Sequence, residues 1–181
     1  MPGIGFRLAR SLGMEGTTGN LHDFPISPSY STSIFKGGLV TLSAGFVQVG
    51  VVTPTSKYLG IFWGCKYEDA NGDFVYANMW DGGANRTNIQ AQIGLLPAGA
   101  SALVKGVDGA TYTAADIGVR KTFVENSGNT RTGMSGATLA GPGASTANAG
   151  LIVMQKIDFA DGSDWFEVAL AADSAILQSG P

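Results

Sequence analysis

Short apolar runs, many of them with a period of two, recur along this chain. From position 88 to 95, Ile89, Ala91 and Ile93 alternate with amide and glycine positions, which places these apolar side chains on one face of a β-strand. Further β-branched or aromatic runs lie at positions 39–42, 46–52, 62–67, 74–79, 103–107, 151–159 and 166–170. Because no segment sustains a helical period, the pattern predicts an all-β fold: a small barrel or sandwich of short antiparallel strands.

Turn residues separate these runs and predict where the chain reverses. Ser43-Ala44-Gly45 predicts a hairpin loop, and Asn71-Gly72 predicts a tight turn between two aromatic-rich strands. Asp108-Gly109 predicts a further turn, and Asp161-Gly162 would join the last two strands in a terminal hairpin. One helical turn is expected after Thr113, because threonine is a favoured N-cap residue.

The predicted hairpin between positions 58 and 80 holds two of the three tryptophans and the only cysteine. Such a concentration of large apolar side chains is typical of a packing nucleus or of a contact surface. We expect four of its aromatic residues to pack in the core or between copies of the chain: Trp63, Tyr67, Tyr76 and Trp80.

Two segments lack the strand pattern. Positions 1–33 are rich in Gly, Pro, Ser and Thr and show little periodic pattern, so we predict an extended N-terminal arm. Pro25 and Pro28 favour an extended path and exclude a helix around the two residues between them. A partly disordered terminus is the alternative for these positions. Positions 34–181 are expected to form a single β domain. Within it, positions 126–150 have the composition of a flexible linker, and a loop of this length is usually functional or mobile.

The composition excludes several classes of partner. Charged residues make up 14% of the chain, against roughly 25% in typical soluble domains. The net charge of −3 argues against a nucleic-acid footprint and against a basic membrane-surface helix. One cysteine permits no internal disulfide, which fits a reducing compartment. Since the chain shows no secretory signal and no membrane span, we expect a soluble protein made in a cytoplasm, with no nucleic-acid or membrane partner.

The residue inventory offers little for catalysis. His22 is the only histidine, which excludes a metal site built on two imidazoles. A Cys65–His22 nucleophile pair stays open, because the two residues need only be close in space. However, a cysteine within an aromatic strand is ordinarily a small buried apolar residue. We therefore predict no catalytic residues, no cofactor and no metal.

The aromatic hairpin also suggests two binding hypotheses. Positions 69–73 have the D-x-N-x-D opening of a calcium loop. Phe74 replaces the required glycine and Trp80 replaces the twelfth-position acid, so a plain hairpin turn is favoured. In the second hypothesis, Trp63, Trp80 and Trp165 form a platform on which sugars stack, although such residues are more often buried in a core or at a subunit interface.

The order of short motifs along the chain resembles the small capsid decoration, or cement, proteins of tailed bacteriophages. Those proteins often have a glycine–aromatic–arginine element, a Pro-Ser element, a Phe-x-Gly-Asp-x-Val step and a Gly-x-Phe-x-Gly-x-x-Tyr-x-Asp segment. The matching positions here are Gly5-Phe6-Arg7 with Arg10, Ser27-Pro28-Ser29, 35–40, 60–69, 78–80, 115–118 and 127–136. Gly38 stands where the family often has Asp.

The resemblance implies a non-enzymatic virion protein on the outer surface of an assembled phage head, where it stabilises the shell by bridging major capsid subunits. It also implies a homo-oligomer, with a trimer expected first and a dimer second. Deleting positions 1–30 is expected to abolish capsid binding and to leave a folded domain. A glycan- or host-surface-binding β module, or another minor head or tail component, is the alternative. The arm residues expected to contact the capsid are Phe6, Arg7, Leu8, Arg10, Phe24 and Tyr30.

Overall fold

The computed structural model of the protein describes residues 5–10, 21–51, 56–125, 128–143, 149–158 and 163–176, without the side chains of residues 9 and 10. The described residues are mostly antiparallel strands, with single 3-10 turns at Ala114–Asp116 and Ala172–Ser174. The predicted all-β class is therefore confirmed. In chain order the strands are β1 (Arg7–Arg10), β2 (Leu21–Pro25), β3 (Ile34–Phe35), β4 (Leu39–Ser43), β5 (Phe46–Val49), β6 (Gly60–Glu68), β7 (Phe74–Ala77), β8 (Met79–Trp80), β9 (Thr87–Leu95), β10 (Ser101–Lys105), β11 (Arg120–Lys121), β12 (Phe123–Val124), β13 (Thr138–Leu139), β14 (Leu151–Asp158) and β15 (Asp164–Leu170).

Five strands form the first sheet, in the order β1-β10-β15-β14-β11. β14 and β15 are the predicted terminal hairpin, in which Leu151 pairs with Leu170 and Asp158 pairs with Asp164. The predicted turn at Asp161-Gly162 lies outside the described residues. β1 adds to the edge of this sheet by antiparallel pairing with β10.

The second sheet has the order β2-β9-β6-β4-β5, and β7 also pairs with β6. Both hairpins predicted in this region are confirmed: β4–β5 and β6–β7. Ala44 and Gly45 close the first with φ angles of 49° and 84°, the left-handed region that such a two-residue turn requires. β2 and β5 stand at the two ends of this order, and over their described residues they do not pair with each other. The two sheets thus pack as a sandwich, and the described strands form no closed barrel.

Hydrophobic cores lie on both faces of the second sheet. On one face, Leu39 and Ile61 pack against Val104 and Phe166 of the first sheet, in what we call the inter-sheet core. The opposite face holds a second cluster, which we call the hairpin core. Leu39 and Ile61 face the inter-sheet core, whereas their neighbours Val40 and Phe62 face the opposite cluster. Adjacent positions of β4 and β6 are therefore both apolar here, and strict alternation is absent. The hairpin core consists of Ile26, Ile34, Val40, Val47, Leu59, Phe62, Cys65, Tyr67, Trp80, Ile89, Ala91 and Ile93.

The described residues of the N-terminal segment lie within this sandwich and do not form a detached arm. β2 pairs with β9 along five residues, from Leu21 to Pro25. Phe6 is 1% exposed, and its ring packs edge-on against Phe123 with 5.4 Å between centroids. The Phe6 amide donates a 2.7 Å hydrogen bond to the carbonyl of Gly37. Deleting positions 1–30 would therefore remove two strands and a core side chain, so this truncation would test the folding of the domain as well as its binding to a capsid.

The linker-like segment is also packed over its described part. Leu139 in β13 pairs with Phe123 in β12, and both Ala137 and Leu139 are fully buried in the inter-sheet core. Positions 126–127 and 144–148 lie outside the described residues. For positions 128–143, the interpretation as a flexible linker is therefore corrected, because small residues let this segment lie close against the core.

A buried ion pair holds this segment against the predicted helical turn. Asp116 and Lys121 are joined at 2.8 Å, with side chains 6% and 0% exposed. Asp116 also accepts the backbone N–H of Thr113 at 2.8 Å and of Gly143 at 3.2 Å, while Lys121 donates to the carbonyl of Gly141 at 3.0 Å. The hydrogen bond from Lys121 is the first cause that holds the pKa of Asp116 well below its usual range. The predicted turn after Thr113 is confirmed as a 3-10 turn.

Candidate contact surface

The β6–β7 hairpin presents aromatic side chains on two sides. The strands pair with Lys66 opposite Tyr76 and Tyr67 opposite Val75. Successive residues of a strand point to opposite faces of the sheet. Val75 consequently packs against the hairpin core, whereas its neighbours Phe74 and Tyr76 face outwards.

The inner side of the hairpin is part of the hairpin core. Tyr67 and Trp80 are 8% and 0% exposed, and their rings meet edge to face at 6.1 Å. The indole Nε1 of Trp80 donates to the carbonyl of Tyr30 at 2.9 Å. The Arg86 guanidinium carbon lies 4.2 Å from the Tyr67 ring centroid and 5.3 Å from that of Trp80. Both carboxylate oxygens of Asp81 accept hydrogen bonds from Arg86, which lowers the pKa of Asp81.

The outer side of the hairpin carries three exposed aromatic residues. Phe74, Tyr76 and Trp63 are 68%, 72% and 42% exposed, and we call them together the outer aromatic surface. Trp63 is the extra residue of a bulge in β6, because the pairing with β9 shifts register between Phe62 and Gly64. A bulge re-aims the side chain that it carries, which explains why Trp63 is exposed in a strand that is otherwise mostly buried.

A small open cleft of about 190 Å³ lies beside this surface. The Lys36 ammonium is 4.3 Å from the centroid of the Trp63 ring. Gly64 lets the hairpin strands approach closely here, since a Cβ at this position would lie 2.8 Å from the carbonyl oxygen of Ala77. The cleft therefore combines two aromatic rings, a cation and two side-chain amides. Its lining residues are Lys36, Trp63, Gly64, Cys65, Tyr76, Ala77, Asn78 and Gln92.

Cys65 is poorly suited to act as a nucleophile. The residue is 1% exposed, and its thiol donates to the carbonyl of Met79 at 3.3 Å. Burial raises the pKa of the Cys65 thiol to about 12. Because the thiolate is the reactive species, the thiol stays protonated and unreactive at neutral pH. This removes the nucleophile from the Cys65–His22 hypothesis.

The calcium-like motif forms a hairpin turn. A carboxylate oxygen of Asp69 accepts the backbone N–H groups of Asn71 at 2.8 Å and Asp73 at 3.0 Å. These hydrogen bonds, the one from Asp73 first, lower the pKa of Asp69. Within the described ranges, no group of three or more His, Cys, Asp and Glu side chains is placed to hold a metal ion.

The three tryptophans do not form a common platform. Trp80 lies in the hairpin core, and Trp165 is 8% exposed on the first sheet, where the Arg7 guanidinium carbon is 5.6 Å from its ring centroid. Only Trp63 of the three is exposed enough to stack on a ligand. The sugar platform built on all three residues is therefore contradicted.

The residues predicted to contact a capsid are spread over the molecule. Phe6 is in the inter-sheet core, and Leu8 packs against the same core. Phe24 and Tyr30 are half-buried against the hairpin core, and the Tyr30 hydroxyl accepts the Val49 N–H at 2.9 Å. Arg7 is exposed, while the side chain of residue 10 lies outside the described part.

Sequence reasoning missed Phe74, which belongs to the outer aromatic surface, and Lys36, which lines the cleft beside it. A signal for Phe74 was present, because it stands two residues before Tyr76 in a predicted strand and so shares its face. Lys36 had no such signal, since it approaches Trp63 only through the fold.

In the described residues, no helix is long and apolar enough to span a membrane. Comparison with known proteins gives no match to any family model, curated protein or solved structure.

Proposed function

We propose that the protein is a non-enzymatic structural component of a phage virion, which binds the outside of the assembled head and bridges major capsid subunits. The observation that carries this proposal is the outer aromatic surface, with Trp63, Phe74 and Tyr76 exposed together on one hairpin. Soluble monomers rarely expose large contiguous apolar patches, and aromatic residues are enriched where proteins meet. A protein that acts by contact accounts for this surface.

The virion setting rests on the ordered series of motifs that resembles capsid decoration proteins. A ligand that binds the assembled shell, and not its dissociated subunits, shifts the equilibrium towards the shell. Many copies on one head add avidity to each single contact. Since only 14% of residues are charged, apolar and main-chain contacts would supply most of the affinity.

The exposed surface, rather than the N-terminal segment as a whole, is proposed to make these contacts. Arg7 is the one expected capsid-contacting residue whose side chain is exposed in the described structure. Phe6 is assigned to the core, because its ring is packed against Phe123. The head-binding surface is therefore to be sought with single substitutions and not with a terminal deletion.

The test uses phage heads assembled without this protein. Wild-type protein is expected to bind them to saturation, to give density on the outer surface in electron microscopy, and to raise the temperature at which heads release DNA. Tyr76→Ser should lower occupancy at equal concentration, whereas Met154→Ser, which changes an exposed side chain on the first sheet, should not. No binding by the wild-type protein to intact heads contradicts the proposal.

A second candidate function, glycan binding, is favoured by the cleft. Its side-chain amides, from Asn78 and Gln92, lie next to the exposed indole of Trp63, a combination suited to sugar hydroxyls and a sugar ring. Tryptophan fluorescence titrated with a panel of sugars separates the two functions. Saturable quenching that Gln92→Ala abolishes favours the glycan, whereas head binding without quenching favours the capsid.

A further inference from the structure

One edge of β7 faces no partner strand within the described part of the chain. The strand pairs with β6 through four residue pairs, from Phe74 to Ala77, and no other described strand pairs with it. An unpaired edge presents backbone N–H and C=O groups that accept another extended strand. Proteins usually protect such edges with proline, inward-pointing charge or a covering segment. The sequence of β7 contains no proline and no charge, so the occupant that this edge suits is a β-strand.

The residues of β7 are complementary to themselves in the antiparallel direction. If a two-fold axis passes beside Val75, Phe74 of each copy lies opposite Tyr76 of the other copy. Both side chains then stand on the same outward face, because they are two residues apart in one strand. Cross-strand aromatic pairs of this kind stabilise a sheet. A two-fold contact uses the same patch on both subunits, so the pairing is closed at two copies.

The charges at the two ends of β7 fit the same arrangement. Asp73 immediately precedes the strand, and Lys36 lies at its other end, where the Lys36 amide donates to the Asn78 carbonyl at 3.1 Å. Antiparallel pairing brings Asp73 of each copy towards Lys36 of the other. Among the ion pairs of the described residues, none includes either of these two side chains. The contact would therefore pair opposite charges at both of its ends.

We infer that two copies of the chain associate through antiparallel pairing of β7, with the outer aromatic surfaces and the Asp73 and Lys36 side chains meeting across a two-fold axis. The biological role of this dimer rests on the proposed function. A dimer carries two head-contacting surfaces, and it can therefore bridge two capsid subunits. A four-residue strand gives a small interface, for which the dissociation constant is on the order of micromolar. A dimer replaces the trimer as the expected assembly.

Sedimentation equilibrium of the isolated protein tests the inference without phage heads. The wild-type protein is expected to shift from monomer to dimer as its concentration rises through the micromolar range. Tyr76→Ser should raise the dissociation constant about tenfold or more, because it removes two cross-strand aromatic pairs at once. Met154→Ser, an equally simple change at a side chain that is 54% exposed, should leave the dissociation constant unchanged.

Charge reversal supplies the second readout. Lys36→Glu and Asp73→Lys should each raise the dissociation constant of the dimer, and the double variant should lower it again. Such a recovery cannot result from loss of folding, because two destabilising substitutions would not restore binding. The inference is overturned if the protein is monomeric at every concentration, if it forms a trimer, or if Tyr76→Ser leaves the dissociation constant unchanged. It is also overturned if the double variant dimerises more weakly than either single variant. Monomers that still decorate heads overturn this inference alone, whereas a dimer that never binds heads overturns the proposed function.

Discussion

The inner and outer sides of the β6–β7 hairpin hold similar side chains in opposite environments. On the inner side, Tyr67 and Trp80 are almost fully buried, and Arg86 lies over both rings. On the outer side, Trp63 and Tyr76 are 42% and 72% exposed. The same residue types therefore stabilise the fold on one side and remain available for contact on the other, and residue type alone does not separate these roles.

Backbone geometry produces the difference. Alternation along β7 assigns Tyr76 to the outer face, because its neighbour Val75 packs against the hairpin core. Trp63 breaks the alternation of β6, because a bulge between Phe62 and Gly64 moves the residues that follow it onto the opposite face. Cys65 and Tyr67 consequently point into the hairpin core. Without the bulge, alternation along the strand would place both residues on the same face as Trp63. One extra residue in a strand thus divides its aromatic residues between two environments.

The largest effect is expected when the inner and outer tryptophans are each replaced by alanine. Trp80→Ala should lower the free energy of unfolding by about 3–5 kcal/mol, because it leaves a cavity in the hairpin core and removes the hydrogen bond to Tyr30. Trp63→Ala should cost about 1 kcal/mol or less, since its ring is already partly in water. Urea unfolding at neutral pH measures both values.

Equal losses for the two tryptophan variants would contradict the separation of the hairpin into two sides. Near-ultraviolet circular dichroism serves as the control for native packing, because only variants that keep a native spectrum can be compared by their unfolding free energies. A large loss for Trp63→Ala alone would assign the stabilising role to the cleft.

A smaller effect is expected from Arg86→Gln, which removes the cation over the inner rings. The loss should be about 1–2 kcal/mol, because the guanidinium is partly exposed and its ion pair with Asp81 is partly screened by solvent. The pKa of Asp81 is lowered in the folded protein, so its contribution to stability is present above the unfolded pKa near 4 and is lost as pH falls through the folded value. The wild-type protein should therefore lose more stability on acidification than the variant does.

Urea unfolding at neutral pH and near pH 3 compares these two proteins. Lys156→Gln is the matched control, because Lys156 is also ion-paired, with Asp158 at 3.1 Å and with Asp164 at 3.0 Å, while no aromatic ring of the described residues lies beneath it. Its effect at neutral pH should be the smaller of the two. Identical acid sensitivity in the wild-type protein and Arg86→Gln would show that the Asp81 pair contributes nothing to the folded state.

Much of the fold could be predicted from local signals in the sequence. The alternation of Ile89, Ala91 and Ile93 located β9, and the turn residues located the hairpins closed near Ala44 and Asn71. These features depend on a few adjacent residues and on a period of two. The division into two sheets and two cores could not be predicted, because it depends on pairs such as Ile61 and Phe166 that are far apart in the sequence.

The N-terminal segment and the contact surface show where sequence reasoning fails. Glycine and proline in positions 1–33 indicated an extended chain, and β1 and β2 are extended, but composition does not reveal that these two strands join sheets. For this reason Phe6 was expected to contact the capsid. In the structure its amide donates a hydrogen bond to Gly37, and its ring packs against Phe123. An aromatic residue in a glycine-rich segment fits a core as well as an interface.

The smallest effect on monomer stability is expected from Tyr76→Ser, on the outer side. Because the side chain is 72% exposed, the free energy of unfolding should change by about 0.5 kcal/mol or less at concentrations where the protein is monomeric. If β7 joins two copies, the melting temperature of the wild-type protein should rise with protein concentration, since association stabilises the folded state by mass action. The melting temperature of Tyr76→Ser should stay constant over the same range. Differential scanning fluorimetry across a concentration series checks this, with Met154→Ser expected to follow the wild-type protein. Parallel curves for wild type and Tyr76→Ser would mean that the exposed aromatic residues of the outer side do not hold two copies together.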